Sequence, residues 1–251
     1  MRREHFSEID STSSHARRRI EVDRVTREPF VVSADVQTAG RGRLGRVWRS
    51  PKGGVWLTIG WPTRVRPDAV GGVALLSALA ARGAIVDGVK PELEDDRLRI
   101  KWPNDVLLDG AKVAGVLIER LETPSGAWLL VGVGLNADVD AATLEDLGRT
   151  VATLRTAMER AVEIGPLGSA LIDSLTRALQ EHEREGLSAS RVALLERVLA
   201  WRDRPVELIA GTGEVAAAGR LDGITPTGGV RIDTREGLFV GVSGELRRVE
   251  R

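Results

Sequence analysis

The 251-residue sequence contains no cysteine, which excludes disulfides, thiolate metal sites and cysteine nucleophiles. It has only three histidines, His5, His15 and His182, none beside a glycine-rich or carboxylate-rich turn. A histidine metal site or a Ser-His-Asp triad therefore has little support, because a triad needs a buried, oriented imidazole. Charge of one sign is also missing: 36 Lys and Arg balance 36 Asp and Glu, so nothing global points to nucleic acid or a membrane surface. Any anion site must be local. No apolar run approaches the ~20 residues of a membrane span. The start, MRREHFSEID, has no apolar signal region, so a cytoplasmic protein is expected. Repeats and low-complexity segments are absent.

What is present reads as one large domain followed by a small one. Residues 1–29 are polar, with Asp10-Ser11-Thr12-Ser13-Ser14 as a helix start. Strands are expected over 30–36, 55–61 and 98–102, the last stopped by Pro103, and over 128–137. The run 106–121 reads as a hairpin around Asp109-Gly110. Helices are expected from Asp68 to about Val86, over 143–161, along the stripe Leu167, Leu171, Leu175, Leu179, and through Val192, Leu195 and Leu199. Near Asp203 the texture changes to short alternating strands separated by Gly, Pro and Asp, the pattern of a small β-barrel of about fifty residues. The expected division is 1–202 and 203–251.

Residues 37–54 form a long glycine-rich loop. Gly40, Gly42 and Gly45 match the dinucleotide fingerprint G-x-G-x-x-G, and Val47 extends it to the kinase glycine loop. Both matches fail on context. The dinucleotide site needs a helix directly after the glycines, but Pro51 and Gly53-Gly54 follow. The kinase set needs H-R-D and D-F-G, which do not occur. The charge carries the information instead: Arg41, Arg43, Arg46, Arg49 and Lys52 lie between 37 and 52 with no acid among them. Such a loop repels itself, and a polyanion would let it order through guanidinium and exposed glycine N–H donors. Trp48 adds a stacking surface for a base or a packing anchor.

Three further groups follow: Lys101-Trp102-Pro103-Asn104-Asp105 at a strand end, Lys112 just past the Asp109-Gly110 turn, and Gly132, Gly134 and Asn136 on a strand that admits close approach. In order and spacing, QTAGRGRLGRVWRSPKGGVW, KWPNDVLLDGAKVAGVLIE and GVGLNA, with the earlier DST, resemble the biotin–protein ligases from residue 9 to about 137. The likeness extends more loosely to the C-terminal β segment.

The resemblance implies an α+β fold: a class II aminoacyl-tRNA-synthetase-like catalytic domain, a mixed sheet flanked by helices, with a small C-terminal SH3-like β-barrel. It implies ATP and biotin as substrates, Mg²⁺, biotinoyl-5′-AMP as intermediate, and a lysine of a biotin carboxyl carrier protein as acceptor. It implies that Ser11, Thr12, Ser13 and Gln37 contact the biotin ring, with serine at 13 where the family usually has asparagine. Gly40, Arg41, Gly42 and Arg43 correspond to the loop that folds over biotin. Arg46 and Trp48 correspond to phosphate and adenine partners, Asn104, Asp105 and Asn136 to the nucleotide end, and Gly115, Gly132 and Gly134 to the pocket lining. Lys112 corresponds to the lysine between the biotin carboxylate and the α-phosphate, with Arg43 and Arg46 as its catalytic partners. No metal ligand is assigned.

Some members of the family are also repressors; the biotin motif here begins by residue 10, so no DNA-binding module and no DNA partner are expected. No membrane partner is expected either, and a homodimer is compatible with the sequence. The alternatives are a lipoate or octanoate ligase of the same fold, against which GRGRLGRVW and the β domain argue, and a non-catalytic biotin-binding module, against which Lys112 and the arginine-rich loop argue.

Overall fold

The computed structural model describes residues 1–22, 27–89, 94–147 and 151–249. The chain opens with β1 (Arg2–Ile9), α1 (Thr12–Glu21), β2 (Phe30–Gln37) and β3 (Val55–Pro62). Next come α2 (Val70–Val89), β4 (Leu98–Lys101), β5 (Asp105–Leu108), β6 (Ala111–Leu121) and β7 (Trp128–Leu135). The helices α3 (Leu154–Met158), α4 (Ile164–Glu185) and α5 (Ala189–Val198) lead to β8 (Pro205–Ile209), β9 (Val215–Ile224), β10 (Val230–Thr234), β11 (Gly237–Gly241) and β12 (Glu245–Arg248).

The first seven strands form one mixed sheet in the order β1-β2-β3-β7-β6-β5-β4. Only β1 and β2 run parallel; α1 makes the crossover, and every other neighbour is antiparallel. Helices cover both faces. Phe30 and Val32 pack with Ala16 and Ile20 of α1, while Val31 between them packs in the larger cluster with α2 and α4. Burial on both faces explains why the central β3 reads VWLTIGW, a continuous apolar run rather than an alternating one.

Helix α2 passes a membrane-length test: Pro67–Val89 has mean hydropathy 1.8 over its best window. The expectation that no apolar stretch reaches that length overlooked how Gly and Ala extend such a run. The helix is a core helix, with most residues buried, including Arg82, which donates to the Leu98 and Asp95 carbonyls.

Two other expectations change. Residues 2–9 are a strand, not a polar lead-in; as an edge it needs few apolar residues, and only Phe6 and Ile9 mark it. The helix expected over 143–161 is broken. Ala141–Leu147 makes 3-10 turns, Val151 bridges Lys112, and α3 starts only after Thr153 caps it by accepting from Thr156 N–H. Residues 148–150 lie outside the described residues. Backbone bonds from Ala152 N–H to Lys112 O (2.9 Å) and from Leu154 N–H to Asn136 O (3.0 Å) hold 152–154 extended, which no helix permits.

The C-terminal β segment is a five-stranded antiparallel sheet, β11-β10-β9-β8-β12. Val206, Leu208, Leu221, Ile232 and Leu246 on its inner face join the same apolar cluster as the large sheet and α5.

Candidate active site

The basic loop is a hairpin. Gln37 bridges Ser50 and Arg41 bridges Val47. Gly42 N–H donates to Arg46 O (2.8 Å) and Trp48 N–H to Gly40 O (2.9 Å). At the tip Arg46 N–H donates to Arg43 O across Leu44 (φ 56°) and Gly45 (φ 72°), a turn with both central residues left-handed. Gly45 suits that turn; Leu44 tolerates it at the exposed apex.

The arginines that repel one another in sequence find separate partners in space. Arg41 lies 3.6 Å from Glu119. Arg43 donates to the Gly244 carbonyl and to Asn104 Oδ1, each at 3.3 Å. Arg46 donates to Glu245 Oε2 at 2.9 Å, and the other oxygen of Glu245 accepts from Lys101 at 3.1 Å. The small sheet thus holds the hairpin through Gly244 and Glu245. Burial alone would raise the Glu245 carboxyl, but the Arg46 hydrogen bond and the Lys101 charge outweigh it and hold the pKa at about 2. Burial lowers the Arg43 guanidinium, against the raising pull of Asp105 and Glu245. Lys101 is singled out in the sequence only as the start of the Lys101–Asp105 cluster, with no role, and Glu245 not at all: a lone acid at the start of a C-terminal strand carries no local signature of a partner two hundred residues away.

Beneath the hairpin lies a floor of glycines. Gly115 of β6 pairs with Gly134 of β7. A Cβ on Gly134 would stand 2.4 Å from Trp48 Nε1, and one on Gly115 would stand 2.9 Å from Lys112 Nζ and 3.2 Å from the Trp48 ring. The two glycines let the indole pack directly against the sheet. Lys112 Nζ sits 4.8 Å from the Trp48 ring centre and 2.6 Å from Asp105 Oδ1. Between Val106 and Leu107 the β5–β6 register shifts, so the steps Asp105–Leu107 and Gly115–Lys112 differ by one residue. This bulge turns Lys112 onto the face of Gly115. Trp48 also meets Trp56 edge-on, 6.4 Å between centres, and its Nε1 is buried without a hydrogen-bond partner.

One end of the cleft is a buried hydroxyl cluster. Ser11 caps α1 and Thr12 and Ser13 follow in its first turn. Thr12 N–H and Oγ1–H both donate to Gln37 Oε1, at 2.8 and 3.0 Å. Thr58 of β3 reaches Thr12 Oγ1 at 2.8 Å and Ser13 Oγ at 3.0 Å. A Cβ on Gly132 would meet Ser13 Oγ at 2.9 Å, so that glycine makes room for Ser13. At the other end Asn104 is held by Arg43 and by its bond to Val116 O, and Asn136 donates to Ala152 O at 3.2 Å.

Together these groups line one cleft of about 390 Å³. It brings together Ser11, Thr12, Ser13, Gln37, Arg41, Gly42, Arg43, Arg46, Trp48, Asn104, Asp105, Lys112, Gly115, Gly132, Gly134 and Asn136. Gly40 alone of the expected site residues is not in the lining; it sits behind the hairpin strand.

The sequence profile of the biotin/lipoate A/B protein ligase family matches residues 7–136. Over 244 residues the chain is 32% identical to the bifunctional ligase/repressor BirA of Salmonella typhimurium, covering 95% of this chain and 71% of that one. It is 32% identical over 200 residues to the biotin–[acetyl-CoA-carboxylase] ligase of Paracoccus denitrificans, covering 78% and 81% respectively. The solved biotin protein ligase from Aquifex aeolicus in complex with biotin and ATP superposes with a TM-score of 0.80 at 26% identity, over 99% of each chain. The chain belongs to the biotin/lipoate A/B protein ligase family.

Proposed function

We propose that the chain activates biotin with ATP and transfers it to a lysine of a biotin carboxyl carrier domain. A biotin carboxylate oxygen attacks the α-phosphorus of ATP, forming the acyl–phosphate bond of biotinoyl-5′-AMP and releasing pyrophosphate. The carrier lysine amine then attacks the acyl carbon, forms the amide, expels AMP and loses its proton to solvent.

The observation that carries this reading is the position of Lys112. Its amine lines the same cleft as the hydroxyl-rich end suited to a polar ring and the hairpin of arginines suited to phosphates, beside the Trp48 indole on the glycine floor. A cation there draws two anions together and stabilises charge as it develops at the α-phosphate. Asp105 holds the amine in place. Arg43 and Arg46 complete the positive field, and Trp48 offers a ring for adenine. Ser11, Thr12, Ser13 and Gln37 take the biotin ring, and Asn104 and Asn136 the nucleotide side. Residues 1–202 supply most of the cleft, and 203–251 add Gly244 and Glu245, which line it and hold the hairpin.

Among the described residues no three acidic or histidine side chains cluster as a metal site, and Asp105 and Glu245 are already ion-paired. Mg²⁺ entering with the triphosphate would neutralise phosphate charge there, beside Arg43, Arg46 and Lys112.

The test is incubation with ATP, Mg²⁺ and either biotin, lipoate or octanoate, followed by mass spectrometry. Pyrophosphate and biotinoyl-AMP are expected only with biotin. Acyl-AMP from lipoate or octanoate in place of biotin would assign the chain to the other branch of the family.

A further inference from the structure

The hydroxyl cluster at the ring end continues as a chain of hydrogen bonds to the hairpin. Gln37 Nε2 lies 2.7 Å from Ser50 Oγ, and Ser50 Oγ lies 3.2 Å from the Trp48 carbonyl. The path therefore runs Ser13, Thr58, Thr12, Gln37, Ser50, Trp48, and all its side chains are buried or lie at the cleft wall.

Its direction is forced by one backbone group. Thr12 N–H can only donate, so the Gln37 atom 2.8 Å away is the amide oxygen, and the amide nitrogen faces Ser50. The Thr12 hydroxyl, 3.0 Å from the same oxygen, must donate to it. A hydroxyl has one proton. Thr12 thus accepts from Thr58, whose proton is then committed, and Thr58 accepts from Ser13. At the far end Ser50 accepts from Gln37 and donates to the Trp48 carbonyl, which can only accept. Both ends agree. Gly40 fits here as well: a Cβ on it would stand 2.3 Å from Trp48 O and 2.7 Å from Ser50 Oγ, closing the passage.

We propose that Thr58 and Ser50 are positioning residues of a one-way hydroxyl relay. The relay commits the Ser13 proton inward, makes this cleft wall a hydrogen-bond acceptor for ligand N–H groups, and ties the wall to the hairpin that carries Trp48. The proposal rests on biotin being the substrate, whose ring urea brings two N–H groups to that wall. Neither Thr58 nor Ser50 lines the cleft, so both act through Ser13, Thr12 and Gln37.

The experiment compares wild type with Thr58→Val, Thr58→Ser and Ser50→Ala, reading biotin affinity by calorimetry without ATP, then KM and kcat for adenylate formation. Thr58→Val keeps the shape but removes the middle link; Ser13 then loses its acceptor and is free to turn its proton toward the ligand. Biotin affinity should fall about ten- to a hundredfold, the effect of a buried polar group left unpaired. KM for biotin should rise in step, while KM for ATP and kcat change less than about threefold. Thr58→Ser, which keeps the hydroxyl, should restore wild-type values. Ser50→Ala should give a smaller loss of the same kind. Near wild-type biotin affinity in Thr58→Val, or an equal rise in the ATP KM, overturns the relay. A Thr58→Ser variant as impaired as Thr58→Val reduces the site to packing and also overturns it. Wild-type protein that neither binds biotin nor forms biotinoyl-AMP overturns the proposed function, and the relay's role in specificity falls with it.

Discussion

The two walls of the cleft are built from different interactions. The ring end is a set of neutral hydroxyl and amide groups, closed to solvent: Thr58 is fully buried and Thr12, Ser13 and Ser50 nearly so. The hairpin is held by ion pairs that stay in contact with water, Arg41 to Glu119 and Arg46 to Glu245, with exposed Leu44 and Val47 at its tip. Buried hydrogen bonds fix geometry because an unpaired partner costs about 1–3 kcal/mol. Exposed ion pairs contribute about 0–1 kcal/mol each and exchange readily with other anions. Under the proposed function, a pocket that reads a ring and a hairpin that opens to admit ATP would call for those two constructions.

The largest expected effect comes from the point where the walls meet. Lys112→Ala should lower adenylate formation by about a thousandfold or more, since it removes the cation that the proposed function puts at the reacting phosphate. Stability should change by less than about 1 kcal/mol, because the lysine is a partly exposed member of one ion pair. Pyrophosphate release and thermal unfolding check both halves. Near wild-type pyrophosphate release would remove Lys112 from the reaction.

Next in size is Gly134→Ala. The added methyl cannot coexist with the indole, so Trp48 must leave the floor. KM for ATP should rise roughly ten- to a hundredfold, the value of one base–aromatic stack, with the biotin affinity almost unchanged. A rise in both would mean that the hairpin and the ring end move as one body. Arg43→Gly should follow, as it loses the bonds to Gly244 and Asn104. Its expected phenotype is leakage of biotinoyl-AMP and labelling of unrelated lysines, read by probing bulk protein for biotin. Tight retention of the adenylate would show that the ion pairs elsewhere in the hairpin suffice to close it.

The same contrast governs what the sequence disclosed. Groups gathered within one stretch were legible: Asp109-Gly110 as a hairpin turn, Lys112 beyond it, Gly132 and Gly134 as positions of close approach, and the arginines between the misleading glycines. The cleft also depends on contacts made across the fold. Thr58 lies inside an apolar run that reads as core strand, Glu245 lies in the small sheet, and Ser50 lies in the loop without a charge to draw attention. Gly40 shared the motif but serves the wall behind the cleft. The bulge that orients Lys112 is visible only once β5 and β6 are paired. Edge strand β1 was missed for a related reason, since five of its eight residues are exposed and the pairing that makes it a strand lies in β2.

The smallest effect belongs to Glu245, and it separates the two walls by pH. Its folded pKa of about 2 lies below the ordinary carboxyl value, because the Arg46 hydrogen bond and the Lys101 charge outweigh burial. The stabilisation is therefore fully present above about pH 4.5 and disappears as pH falls toward 2. The hydroxyl relay has no titrating member and should keep its geometry through that window. Glu245→Gln should lower the melting temperature slightly at pH 7, by less than the equivalent of about 1 kcal/mol, and the difference from wild type should shrink below about pH 4.5 and vanish only as pH falls through about 2. Other carboxylates held low by arginine, Asp10, Asp109 and Glu181, are common to both proteins and cancel in the comparison. A constant difference between the two melting curves from pH 7 to 3 would mean that Glu245 supports the hairpin by packing and not by charge, and the small sheet would then be a prop for the lid instead of an electrostatic latch.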